Sequence, residues 1–143
     1  MSSQIKTLLA GKFITLALGF FLTFVVIIKH EENINASTSS KSAATDSLTA
    51  CVILMIICQF FEAMILFTGL SVFFDKINVF SIIFQSIGVL FTSWFILGQW
   101  PSELLWPIWV FGSFFPFILE IAILILSKKL YSPPIVLEEF HTN

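Results

Sequence analysis

Four stretches of almost uninterrupted apolar residues, at about 8–28, 48–74, 79–97 and 104–126, leave this chain few ways to fold. About 20 helical residues, rising ~1.5 Å each, cover the ~30 Å hydrocarbon core of a bilayer. Inside lipid a backbone must satisfy its own hydrogen bonds, so a single apolar segment that crosses does so as an α-helix. Only 11% of the residues are charged, against about 25% in soluble domains. Too little polar side chain remains to coat a water-soluble globule. The expected fold is all-α, a four-helix transmembrane bundle forming a single integral membrane domain over 1–143.

The first stretch follows Lys6 and Lys12, in the manner of a secretory leader. Its far boundary, Lys29-His30-Glu31-Glu32, lacks the small residues of a cleavage site, so a retained span is expected. Between the first two spans, residues 29–47 are polar and rich in serine and threonine, which reads as a flexible outer loop. Asp75-Lys76 and the two residues after them allow only a tight antiparallel hairpin, and Gly98–Glu103 makes a second tight turn. Trp100 and Trp106 stand near that turn, at interface level. Lys6, Lys12, Lys76, Lys128 and Lys129 fall on one side of such a bundle, Lys29 and Lys41 on the other. The positive-inside rule then places both termini, with a tail over 127–143, in the cytoplasm. The sequon Asn35-Ala36-Ser37 lies on the opposite side, where Asn35 is a candidate N-glycosylation site.

Several function classes are disfavoured. A net charge of -2, no arginine and scattered lysines leave no nucleic-acid surface. Cys51 and Cys58 sit seven apart in one apolar run, without redox or metal-ligand spacing, and read as small buried residues. His30 and His141 are isolated, and neither H-E-x-x-H nor G-x-S-x-G occurs. No enzyme activity, metal or cofactor is expected. The tail stretch "YSPPIVLEEF", with Glu138-Glu139, reads as a solvated end, although Pro133-Pro134 suits an extended docking peptide.

Polar residues inside the spans demand an account. They are Gln59 and Glu62 in the second, Gln85 in the third and Glu120 in the fourth. Intramembrane carboxylates are rare and face a bundle interior or a water cavity. Gln85 and Glu120 each lie ~9 Å from the same membrane edge, which suggests a Gln85–Glu120 hydrogen bond, and Glu62 lies ~18 Å in. Each is on a face with small residues. Ser81, Gln85, Gly88 and Thr92 align on the third helix, Gly112, Pro116 and Glu120 on the fourth, and Glu62 with Cys58, Met55 and Gly69 on the second. Such faces let backbones approach and hydrogen bonds form between helices. Pro116 removes a bond to the Gly112 carbonyl and is expected to kink the fourth helix there. Gln59, Glu62, Gly69, Gln85, Gly88, Gly112, Pro116 and Glu120 are therefore the expected helix–helix contacts. A proton path through Glu62 and Glu120 is the rival reading. It is disfavoured because no lysine or histidine falls inside any span and four helices are few to enclose a cavity.

Val110-Phe111-x-Ser113-x-x-Pro116-x-x-x-Glu120-x-Ala122 resembles a segment of the transmembrane protein 107 family. Ser93-x-Phe95-Ile96 with Trp100, then Glu62, Gly69, Ser71 and Phe73, and Phe13-x-Thr15-Leu16 with Asn33-Ile34 resemble its other parts in order. The Ser/Thr-rich first loop and Gly98-Gln99 depart from it. The resemblance implies a non-enzymatic, multi-pass component of the ciliary transition zone, within the Meckel-syndrome module. It would help recruit or retain other membrane and scaffold proteins and so control ciliary membrane composition and ciliogenesis. Its implied partners are those proteins and membrane lipids. The alternative is a small proton-linked transporter or channel using Glu62 and Glu120.

Overall fold

Each apolar stretch is helical over most or all of its length. The helices start earlier than the apolar windows, in polar sequence, whereas the second ends at Thr68, short of the expected 74. The computed structural model describes residues 3–69 and 74–131. Within them run α1 (Ser3–Ile28), α2 (His30–Asn35), α3 (Lys41–Thr68), α4 (Asp75–Leu97), α5 (Leu105–Trp109) and α6 (Phe115–Tyr131). A 3₁₀ turn at Ser102–Leu104 leads into α5, and a π-helical turn at Val110–Phe114 joins α5 to α6. The segment from Ser102 to Tyr131 is thus one long rod. Among the described residues, α1, α3, α4 and this rod are long and apolar enough to cross a membrane. The protein is an all-α, four-helix membrane bundle.

The four rods stand at the corners of a square. α1 lies against α3 and α4, and the fourth rod lies against the same two. That leaves α1 diagonal to α6, and α3 diagonal to α4. Consecutive in sequence, α3 and α4 are therefore not packed together as a tight hairpin would require. Residues 70–73 of their connection, and with them Ser71 and Phe73, lie outside the described residues, as does the tail from Ser132, including Glu138, Glu139 and His141. Gly69 ends α3: it takes a left-handed φ of 71° and its N–H bonds to the Leu66 carbonyl. A side chain there would meet nothing within 4 Å, so Gly69 is a helix stop and not the helix–helix contact expected of it.

The first connection also differs from expectation. Residues 29–47 contain α2 and the first turns of α3, where a flexible loop was expected. Ser40 caps α3, its hydroxyl accepting from the Ala43 N–H at 3.4 Å. Asn33 and Ile34 turn α2 onto the bundle and are both buried.

The two halves of the interior differ. The apolar core gathers Val26, Ile34, Leu48, Cys51, Phe95 and Leu105 at the end where α1 finishes and α3 begins. The other half holds most of the buried polar groups. Outside, large apolar side chains such as Phe21, Phe60 and Phe67 are exposed, as a surface solvated by lipid tails requires.

A very close backbone approach joins α4 to the π turn. A Cβ placed on Gly112 would fall 2.6 Å from the Gly88 Cα, and one on Gly88 would meet Gly112 Cα closer still. Neither atom can move aside, because both belong to backbone. Pro116 follows and is fully buried. It lacks the N–H that would return to Gly112, and the preceding Phe115 N–H reaches back five residues to the Val110 carbonyl. The irregularity expected at Pro116 is thus a widened turn over Val110–Phe114. Gly88→Ala should lower stability by about 1–3 kcal/mol through overpacking. Gly11→Ala, whose new methyl would lie an ordinary 3.8 Å from the flexible Ile82 Cδ1, should change it by less than about 0.5 kcal/mol. Unfolding of both variants in detergent micelles checks this.

Candidate functional site

Spacing on α1 builds one wall of the polar interior. Lys12, Thr15, Gly19 and Thr23 recur three and four residues apart, which aligns them on one face. Lys12 belongs to α1 and is 1% exposed. The expectation that no lysine lies inside a span is therefore wrong, and so is its placement with the cytoplasmic lysines. Its Nζ donates to Asn78 Oδ1 at the start of α4, at 3.0 Å, and forms an ion pair with Glu120 Oε1 of α6. Glu120 is completely buried. An isolated charge there would be costly, and pairing with hydrogen bonding is what makes it tolerable.

The expected Gln85–Glu120 bond is absent because Gln85 is engaged elsewhere. Its Nε2 donates to Glu62 Oε2 on α3, and its Oε1 accepts from the Thr15 hydroxyl at 2.9 Å. One amide thereby links three helices. Gln85 and Glu120 do stand on neighbouring helices, but depth along a span does not say which of the surrounding helices holds the partner. Polar bonds in fact cross both diagonals, Lys12–Glu120 from α1 to α6 and Gln85–Glu62 from α4 to α3.

Gln59 bonds away from Glu62, toward α1. Its Nε2 donates to Thr23 Oγ1 at 3.3 Å, while the Thr23 hydroxyl donates to the Gly19 carbonyl at 2.8 Å. Gly19 provides the space: a Cβ there would stand 3.1 Å from Gln59 Nε2. Gly88 and Gly112 complete the seam between α4 and the fourth rod. Cys51 and Cys58 are both free and buried.

At the opposite end a second polar set ties α2 to the turn after α4. Buried Asn33 donates its Nδ2 to the Phe95 carbonyl at 3.2 Å and the Trp100 carbonyl at 2.8 Å. Gln99 takes a left-handed φ of 49° there, and the Trp100 N–H returns to the Phe95 carbonyl at 3.3 Å. Ser37 and Ser39 both donate to Glu103 Oε1, Ser39 at 2.7 Å. Trp106 Nε1 donates to Ser47 at 2.7 Å. Asn35 ends α2 and is exposed. Asn33 was missed as a structural residue, since a lone asparagine in polar sequence carries no positional signal.

A narrow cavity of about 20 Å³ lies between the two halves, lined by Glu62, Gln59, Gln85, Thr15, Thr92 and Ser113 among others. Among the described residues no three of histidine, cysteine, aspartate and glutamate converge as a metal site. The interior is thus a set of interhelical polar bonds around little free space, with Glu62 Oε1, Ser81 Oγ and Glu120 Oε2 buried and unpartnered among them.

Gln85→Leu should remove both of its interhelical bonds and lower stability by about 1–3 kcal/mol, since each is worth ~0.6–2 kcal/mol. Asn33→Ala leaves two carbonyls without their donor and should cost about 1–3 kcal/mol. Denaturation followed by circular dichroism measures both, with Thr49→Ala on the exposed face of α3 as the near-neutral reference.

A family model described as TMEM107, transmembrane protein, matches residues 8–124. No curated protein and no solved structure matches the chain.

Proposed function

The chain belongs to the transmembrane protein 107 family, and from that premise we propose that it is a non-enzymatic membrane component of the ciliary transition zone. In this reading it helps recruit or retain other gate proteins of the Meckel-syndrome module and so controls ciliary membrane composition and ciliogenesis. The observation that carries it is the use made of the polar interior. Lys12, Glu120, Gln85, Glu62, Gln59 and Thr23 bond one another across the bundle. Their arrangement supports a scaffold whose work is done on its outer faces. Those faces carry exposed phenylalanines suited to partner helices and lipid. Both termini are assigned to the cytoplasm. With Lys12 buried, Lys6, Lys76, Lys128 and Lys129 still outnumber Lys29 and Lys41. Asn35 then faces the lumen or exterior, exposed and open to glycosylation.

A proton-linked carrier is the second reading, and two observations favour it more than the sequence did. Lys12 provides a basic partner beside two acids, and the π turn at Val110–Phe114 interrupts the fourth rod. Against it, the apolar cluster around Val26, Cys51, Phe95 and Leu105 fills the other half of the bundle, and the cavity between is small.

Endogenous tagging in ciliated cells tests the first reading. A tight band at the ciliary base, lost when other transition-zone membrane proteins are removed, is expected. Signal spread through the secretory or plasma membrane with none at that base would overturn it. Purified protein in liposomes tests the second: proton flux equal to the protein-free leak is expected. Flux above that leak, abolished by both Glu62→Gln and Glu120→Gln, would establish the carrier.

A further inference from the structure

Charge does not balance inside the bundle if both carboxyls are ionised. Lys12 is the buried cation, and its ammonium is committed to Glu120 and Asn78. Every other lysine in the described residues is exposed. Glu62 is 1% exposed and faces the cluster from α3. Around it stand Gln85 from α4, Lys12 and Thr15 from α1, and Glu120 beyond Lys12 on α6, so no second cation answers it. An ionised Glu62 would leave one uncompensated negative charge within the hydrocarbon layer, the arrangement that membranes penalise most.

Hydrogen bonding points the same way. Gln85 Nε2 donates to Glu62 Oε2, whereas Oε1 is buried with no protein partner. Glu120 Oε2 is likewise unpartnered, but Glu120 holds the Lys12 ammonium through Oε1 and Glu62 bonds only a neutral amide. A carboxylate would need a donor at Oε1, and the two threonine hydroxyls that line the same cavity are engaged. The Thr15 hydroxyl bonds to Gln85 and the Thr92 hydroxyl to the Gly88 carbonyl at 2.7 Å. A neutral acid meets both oxygens' needs: Oε2 accepts from Gln85, and Oε1 becomes a donor in search of an acceptor.

The cavity supplies space for that acceptor. Its volume of about 20 Å³ exceeds the ~10–15 Å³ needed to hold one water. Glu62 lines it together with Thr15, Gln59, Gln85, Thr92 and Ser113, which provide the two to four polar partners a buried water uses. We propose that Glu62 is the neutral carboxylic acid of the core and donates its Oε1 proton to a single water held in this cavity. Glu120 is then the ionised member of the pair, matched by Lys12, and the interior as a whole carries no net charge.

Infrared spectroscopy of the full chain in lipid bilayers at neutral pH tests the assignment. A carboxylic-acid carbonyl band at the frequency of a hydrogen-bonded acid is expected, shifting downward in heavy water. Glu62→Gln should abolish it. Glu62→Asp keeps an acid and should move the band, so it serves if the glutamine variant fails to fold. Absence of any acid band in the unaltered chain would overturn the proposal, leaving an ionised Glu62 with some other counter-charge. A band indifferent to both substitutions would place the proton on another carboxyl. A band at the higher frequency of an unbonded acid would mean a dry cavity and would also contradict it.

Discussion

The ammonium of Lys12, held between Glu120 and Asn78, is the constraint from which the rest of the bundle follows. In lipid, helices gain no hydrophobic energy by meeting one another, so close packing and polar bonds decide which faces turn inward. Lys12 cannot be lodged inside without its partners, and meeting them fixes the rotation of α1, α4 and α6 together. Helical spacing then propagates the registration. Thr15, three residues on, reaches Gln85, which is seven beyond Asn78. Gln85 extends to Glu62 and brings in α3. Three residues further, Gly88 lets α4 touch Gly112, and on α1 Gly19 and Thr23 receive Gln59. A single rotation of α1 would undo the contacts of Lys12, Thr15, Gly19 and Thr23 at once.

The division of the interior follows from the same logic. Polar bonds hold the half containing Lys12, while side chains such as Val26, Cys51, Phe95 and Leu105 fill the other half by packing. Asn33 closes that second half by capping carbonyls at the end of α4. Two kinds of cohesion therefore act in series along one bundle. The carboxyl-bearing half is shut off from the far end of the bundle by the apolar one, which suits a scaffold better than a conduit.

Much of this was legible in sequence, and the failures have physical causes. Apolar runs announced four helices because backbone in lipid has no alternative. The small and polar positions Ser81, Gln85, Gly88 and Thr92 showed their common face at helical spacing, and all four are buried. The corresponding stripe on α1 was overlooked because Lys12 stands near the start of an apolar run and resembled a flanking charge. Its spacing to Thr15, Gly19 and Thr23 was the available signal. Serine-rich sequence before α3 resembled a loop because serine is common in loops, yet Ser40 was acting as a helix cap. Pro116 announced an irregular helix but could not specify that the backbone would widen into a π turn. Which helices are adjacent and which diagonal was not readable, since depth along a span carries no information on position around it.

A double-mutant cycle between Lys12 and Glu120, read by unfolding in lipid-like micelles, tests the central claim most directly. Lys12→Met and Glu120→Leu should each be strongly destabilising, by about 3–5 kcal/mol, because each strands a buried charge. The double variant should recover much of that loss, giving a large favourable coupling between the two sites. Costs that simply add, or a Lys12→Met variant as stable as the unaltered protein, would mean that the pair does not organise the bundle.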